Sequence, residues 1–160
     1  MRKYGALALT LGAALALSAC TTAEELPKPV AATIDARPAI STDRLTEVQE
    51  IVFDSIQNAD AKLDPKMLEE RTTGPFPQIR EGEYKLKKIL ADAFGLERLS
   101  TVAQQTAISP ADSYPHVALS IMEAPQGSNL QTIDVFQQAS ARDNWMLWGV
   151  MDILPGATVP

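Results

Sequence analysis

Few side chains in this chain of 160 residues are equipped to do chemistry, and two of the reactive types occur once each: Cys20 and His116. A thiol acts as a nucleophile or a metal ligand through its thiolate, so the surroundings of Cys20 decide its use. It stands directly after Leu17-Ser18-Ala19, at the end of an apolar run from Gly5 to Leu17 that begins behind Arg2 and Lys3. At about 13 residues that run is shorter than the roughly 20 needed for a permanent membrane-spanning helix. Positive charge before it and small residues after it make it a secretory signal, cut so that Cys20 becomes the first residue of the mature chain.

His116 follows Asp112 and Tyr114 at the start of an expected strand. A histidine and a carboxylate can serve as a general base and its orienter, but four residues of extended chain keep them apart, and no nucleophile is singled out beside them. One histidine with no further cysteine argues against a transition-metal site. Asp134 interrupts the apolar stretch Thr132-Ile133-Asp134-Val135-Phe136. Alternation puts it on an exposed sheet face; were it to point inward, it would need a partner such as Arg80 or Arg71, because an unpaired buried charge is costly. Trp145 and Trp148, three residues apart on one strand, fall on opposite faces, one in the core and one lining a pocket or a contact surface. No catalytic residue, metal or cofactor is expected. The candidate ligand-lining residues are Tyr84, Phe136 and Trp148.

Charge narrows the partners. Beyond residue 19 the chain keeps 12 of its 14 basic residues against all 20 acidic ones, a balance of −8. Such acidity argues against nucleic acid and against a basic patch for anionic headgroups. Lys85, Lys87 and Lys88 form the local basic cluster; it reads as a solvated helix end suited to the macrodipole, with a phosphate or headgroup contact as the alternative.

The elements that would position these residues follow in order. Residues 20–40, with three prolines and no periodic pattern, read as a tether. Ser41-Thr42-Asp43 are cap-type residues, and Leu45, Val48, Val52 and Ile56 then recur at helical spacing, so an amphipathic helix is expected to about Ala59. Asp64-Pro65 opens a short helical turn, which Thr72-Thr73-Gly74-Pro75 breaks. A second helix is expected from about Phe76 to Leu90, with Ile79, Gly82, Leu86 and Ile89 or Leu90 as its apolar face and Gly95 ending it in a left-handed conformation. Gly82 either admits a close backbone or is simply tolerated. From Leu99 the period changes to two: a weak strand to Ile108, then strands over Val117–Met122, Gln131–Gln138 and Trp145–Leu154, joined by polar turns. In the second of these, Val117, Leu119 and Ile121 alternate with Ala118, Ser120 and Met122, so at least one face is buried. Helices first and strands afterwards give a single α+β domain over residues 41–160, its N-terminal helices packed on a three- to four-stranded antiparallel sheet.

Residues 1 to 20 resemble the precursors of bacterial lipoproteins. The resemblance implies a diacylglyceryl group on the Cys20 thiol, cleavage before it, and attachment to the outer face of the cell membrane. Several acyl chains on one residue make such an anchor durable, and a thioether-linked Cys20 leaves no thiol for a disulfide. Arg71-Thr72-Thr73-Gly74-Pro75, the helix with Glu83-Tyr84, Leu147-Trp148-Gly149 and the ending Leu154 to Pro160 are similar to a group of uncharacterised actinobacterial lipoproteins. Members of that group have no assigned activity and tend to be longer, which implies that this chain resembles their anchored first half. The layout is also similar to nuclear-transport-factor-2-like and cystatin-like folds, an analogy that carries no function. The leading expectation is a non-enzymatic, lipid-anchored envelope domain that binds an envelope protein or a cell-wall component. The second is a small-molecule or lipid-binding module with a pocket between the 76–90 helix and the sheet, and the third is a pocket enzyme.

Overall fold

Ser41 begins the first helix as the sequence leads one to expect. Its backbone is extended (φ −74°, ψ 156°) and its Oγ accepts from the Arg44 N–H at 3.3 Å, satisfying one of the free donors of the first turn. The computed structural model describes residues 37–154 and 156; the expected signal, Cys20 and the tether as far as residue 36 lie outside the described residues. Helix α1 spans Thr42–Lys62 and buries Leu45, Gln49, Val52, Phe53, Ile56 and Ala59 along one stripe. It runs past Ala59 to a left-handed cap at Leu63 (φ 50°). Asp64 then accepts from the Lys66 N–H, and Pro65 opens a 3-10 turn, Pro65–Glu70, that buries Leu68.

Helix α2 spans Phe76–Leu90, but its buried face is not the expected one. Phe76, Arg80 and Tyr84 point inward at spacings of four, whereas Ile79 (61% exposed), Leu86 (45%), Ile89 (76%) and Leu90 (46%) face outward. The inward guanidinium meets an acid on α1, Asp60, and the Phe76 and Tyr84 rings are buried on either side of it, so this face wins. A Cβ on Gly82 would meet nothing within 4 Å, so that glycine admits no close backbone. Nor does Gly95 end the helix: Ala91 takes the positive φ (49°), and the Lys87 ammonium donates to the carbonyls of Ala91 and Phe94 at 2.7 and 2.8 Å. Lys88 likewise donates to the Leu63 carbonyl, and Lys85 pairs with Glu81.

Four strands follow, β1 (Ala103–Ile108), β2 (His116–Met122), β3 (Thr132–Gln138) and β4 (Met146–Asp152), in an antiparallel meander of order β1-β2-β3-β4. The architecture is α+β, with α1 laid over one face of the sheet. Phe53 of α1 meets Phe136 of β3 edge-to-face, with ring centroids 6.1 Å apart. Ala118, Met122 and Leu147 complete the core on that side. A bulge in β4 sets Leu147 opposite Phe136 and Gly149 opposite Val135, leaving Trp148 as the extra residue. The sheet margins are partly occupied. Arg71–Thr73 runs beside β4, with the Leu147 N–H donating to the Arg71 carbonyl and the Thr73 N–H to the Leu147 carbonyl, both at 2.9 Å. Residues 37–39, read from sequence as the end of the tether, pair with residues 109–111 and so belong to the domain.

Candidate functional site

The strongest electrostatic feature joins the two helices. Arg80 is buried beneath α2, and Asp60 near the end of α1 accepts from its Nε at 2.9 Å and its Nη2 at 2.5 Å. Tyr84, one turn on, donates its hydroxyl to Asp60 Oδ1 at 2.7 Å. Glu83 takes Arg80 Nη1 at 2.7 Å, and the Glu97 carbonyl takes Nη2 at the same distance. Burial pulls the guanidinium pKa down, but the hydrogen bonds and charges of Asp60 and Glu83 together outweigh it and hold the group firmly protonated. Burial, and then the Asp60 carboxylate, push the Tyr84 hydroxyl up. With Nε, Nη1 and Nη2 all engaged by protein, Arg80 clamps α1, α2 and the 96–99 segment together and is not offered to an anionic ligand.

A second polar group lies under α1 on the inner face of the sheet. Asp134 has no exposed surface, contrary to the alternation argument, because its neighbours Ile133 and Val135 take the outward positions. Its expected inward partners Arg80 and Arg71 do not reach it. Oδ1 accepts from the Thr132 hydroxyl at 2.8 Å, while Oδ2 has no protein partner. Burial pushes the carboxyl up to about 7, the Thr132 hydrogen bond opposing and the Glu97 charge adding to the rise. Opposite it on β2, Ser120 Oγ accepts from Gln49 Nε2 at 2.7 Å. His116 is also inside, its Nδ1 without a protein partner, its ring 3.9 Å from the Tyr114 ring and stacked with Trp145 at 6.5 Å. His116 pairs with Gln138 and Ser120 with Asp134, so the histidine and the buried acid stand four residues apart along the ladder, about 13 Å. Among the described residues no His, Cys, Asp or Glu trio converges on a metal position.

Of the three candidate ligand-lining residues, one stands on a cleft. Trp148 is 40% exposed and lines a cleft of about 280 Å³ between the start of α2 and β4, with Ile79, Arg80, Glu83, Glu97 and Met151 around it. Its indole lies flat on Gly74, where a Cβ would come within 2.5 Å of the ring; Gly74 also holds φ +65°, so glycine is required there twice over. Tyr84 and Phe136, by contrast, are core residues at 1% and 0% exposure, one holding Asp60 and the other packing on Phe53. A further cleft of about 350 Å³, not anticipated from sequence, opens between Phe53, Ile56 and Asp60 of α1 and the 96–99 segment. Burial, then the charges of Asp152 and Glu83, raise the pKa of Glu97, which borders both clefts; Arg80 opposes the rise.

The outer face of the sheet is uncharged and mostly apolar. Ile121 faces Ile133, which faces Met151; Leu119 faces Val135; Val117 faces Gln137, which faces Met146; and β1 adds Gln105 and Ala107. No Asp, Glu, Lys or Arg occupies these positions, and Leu119 is 40% exposed. A solvated sheet face carries polar and charged side chains, and this one carries no charge, while the inner face mixes polar groups with the core residues Ala118, Met122, Phe136 and Leu147. Ser120, Thr132, Asp134 and His116 face the helices, while valine, leucine and isoleucine face away. The alternating apolar set of β2 was legible in the sequence, but nothing local told which set the helices would cover. No family model, curated protein or solved structure matches the chain.

Proposed function

We infer that this chain is an extracytoplasmic envelope lipoprotein, held to the outer face of the cell membrane by acyl chains on Cys20, whose α+β domain is a non-enzymatic interaction module. The observation that carries the reading is the outer sheet face: Val117, Leu119, Ile121, Ile133 and Val135 form a charge-free surface over which no described helix lies. Contiguous apolar surface at a solvent boundary is the mark of a contact site. The polar groups that chemistry would need are spent inside the fold, Arg80 on its clamp and Asp134 beneath α1. The resemblance of residues 1–20 to lipoprotein precursors supports the location, and the partner class is an envelope protein or wall component.

Cys20→Ala tests the anchor. The variant is expected in the soluble extracytoplasmic fraction while the parent sediments with membranes; a variant that stays membrane-bound after alkaline washing overturns it. A second reading, a ligand module, is favoured by one feature, the cleft walled by the half-exposed Trp148. A ligand seated there would shift indole fluorescence.

A further inference from the structure

We propose that the outer face of the sheet docks on the same face of a second copy of this chain, making a back-to-back dimer of four layers, helix–sheet–sheet–helix. The proposal rests on the interaction-module reading and names its partner. Charge supplies the first argument. Beyond residue 19 the chain carries 12 basic and 20 acidic residues, a balance of −8, so two copies repel through most of their surfaces. The outer face, without an ionised side chain, can be brought against itself with no like charges meeting. It also lacks the lysines and arginines that would draw it to anionic headgroups, which disfavours the membrane as its occupant.

Geometry supplies the second argument. Leu119 and Val135 stand directly opposite each other in the middle of the two central strands, so a two-fold axis beside them would place each copy's β2–β3 apolar centre on its mate's. Stacked sheets sit about 10 Å apart with strands within about 30° of one another, a spacing that interdigitating valine, leucine and isoleucine fill. Pairing edge to edge is hindered instead, because Arg71–Thr73 occupies part of the β4 margin and residues 37–39 flank the chain just beyond β1.

Area supplies the third argument. Four strands about 4.8 Å apart and about seven residues long present a face of roughly 19 by 23 Å. Two such faces cover about 900 Å² in projection, and side-chain relief carries the buried area toward the lower bound of about 1,200 Å² for specific complexes. That size makes a reversible dimer, which confinement of both copies to one membrane surface raises in occupancy.

The test uses the full-length chain in its membranes. Because Cys20 is the native sequence's sole cysteine, a thiol introduced by Leu119→Cys can be read against the parent chain treated identically. A short bismaleimide is expected to give a species of twice the chain mass with Leu119→Cys, and none with the parent or with Gln78→Cys on the exposed flank of α2. In a Val135→Cys background, Leu119→Glu or Leu119→Lys alone is expected to cut the doubled species at least fivefold. Co-expressing the two is expected to restore it, a recovery that misfolded chains cannot give. Absence of the doubled species from Leu119→Cys overturns the proposal. A cross-link to a chain of another mass overturns self-association while leaving an interaction module in place. A thiol that labels freely yet cross-links to nothing removes both readings, and one that resists labelling shows the face covered by this chain's own residues and also overturns the dimer.

Discussion

At the scale of single residues, two buried polar groups behave differently because one is answered and the other is not. Arg80 meets Asp60, which also accepts from Tyr84, together with Glu83 and the Glu97 carbonyl, and is locked in its charged form. Asp134 meets one hydroxyl and no cation, so burial decides its state and lifts it from an ordinary 3.8 to about 7. An acid whose pKa is higher folded than unfolded keeps its full contribution to stability below about pH 4 and loses it as pH rises through about 7, since the folded state then binds the extra proton less and less. Thermal stability is therefore expected to decline between about pH 4 and pH 7, by an amount on the order of 4 kcal/mol at most. Glu97, also raised, adds in the same direction. Asp134→Asn should flatten most of the decline in a series of melts across that range; an unchanged slope would assign the titration to another group. Neither the depth of Asp134 nor the identity of Arg80's partner was legible locally. Asp60 sits 20 residues from Arg80, and only the packing of α1 on α2 brings them together.

Helix α2 shows what an element's sequence can and cannot say. Its bounds, Phe76 to Leu90, follow from the break at Gly74-Pro75 and the loss of period after Leu90. Its orientation does not, because two stripes compete: aliphatic Ile79-Leu86-Ile89 and mixed Phe76-Arg80-Tyr84. Hydrophobicity summed along the helix favours the first, and the partner waiting on α1 favours the second. Urea denaturation separates them. Tyr84→Ala, removing a ring at 1% exposure and a hydrogen bond, should lower stability by about 3–5 kcal/mol. Ile89→Ser, at 76% exposure, should change it by less than about 0.5 kcal/mol. Equal effects would contradict the observed facing. The exposed stripe leaves α2 with an apolar outer surface of its own.

For the whole molecule, the domain begins earlier than composition suggests. The Ala39 N–H donates to the Ser109 carbonyl at 2.9 Å, the Ala111 N–H donates to the Arg37 carbonyl at 2.8 Å, and Ala39 and Ile40 pack against the core. A chain starting at Ser41 should therefore be less stable than one starting at Arg37, by about 1–2 kcal/mol for two hydrogen bonds. Differential scanning calorimetry of the two chains decides the point, and identical melting temperatures would return residues 37–40 to the tether. By itself, the sequence determined the element order, most element bounds, a helix cap within Ser41-Thr42-Asp43, the turn at Asp64-Pro65 and the α+β class, because these follow from periodicity and chain-local chemistry. The inward stripe of α1, Leu45-Val52-Ile56, was legible from its spacing, but tertiary structure alone decided which side of α2 and of the strands is inside. A strand such as β2 offers Val117-Leu119-Ile121 on one face and Ala118-Ser120-Met122 on the other, and its backbone is indifferent to the choice. What covers it settles the matter, since burial is a property of the packed pair and of no single element.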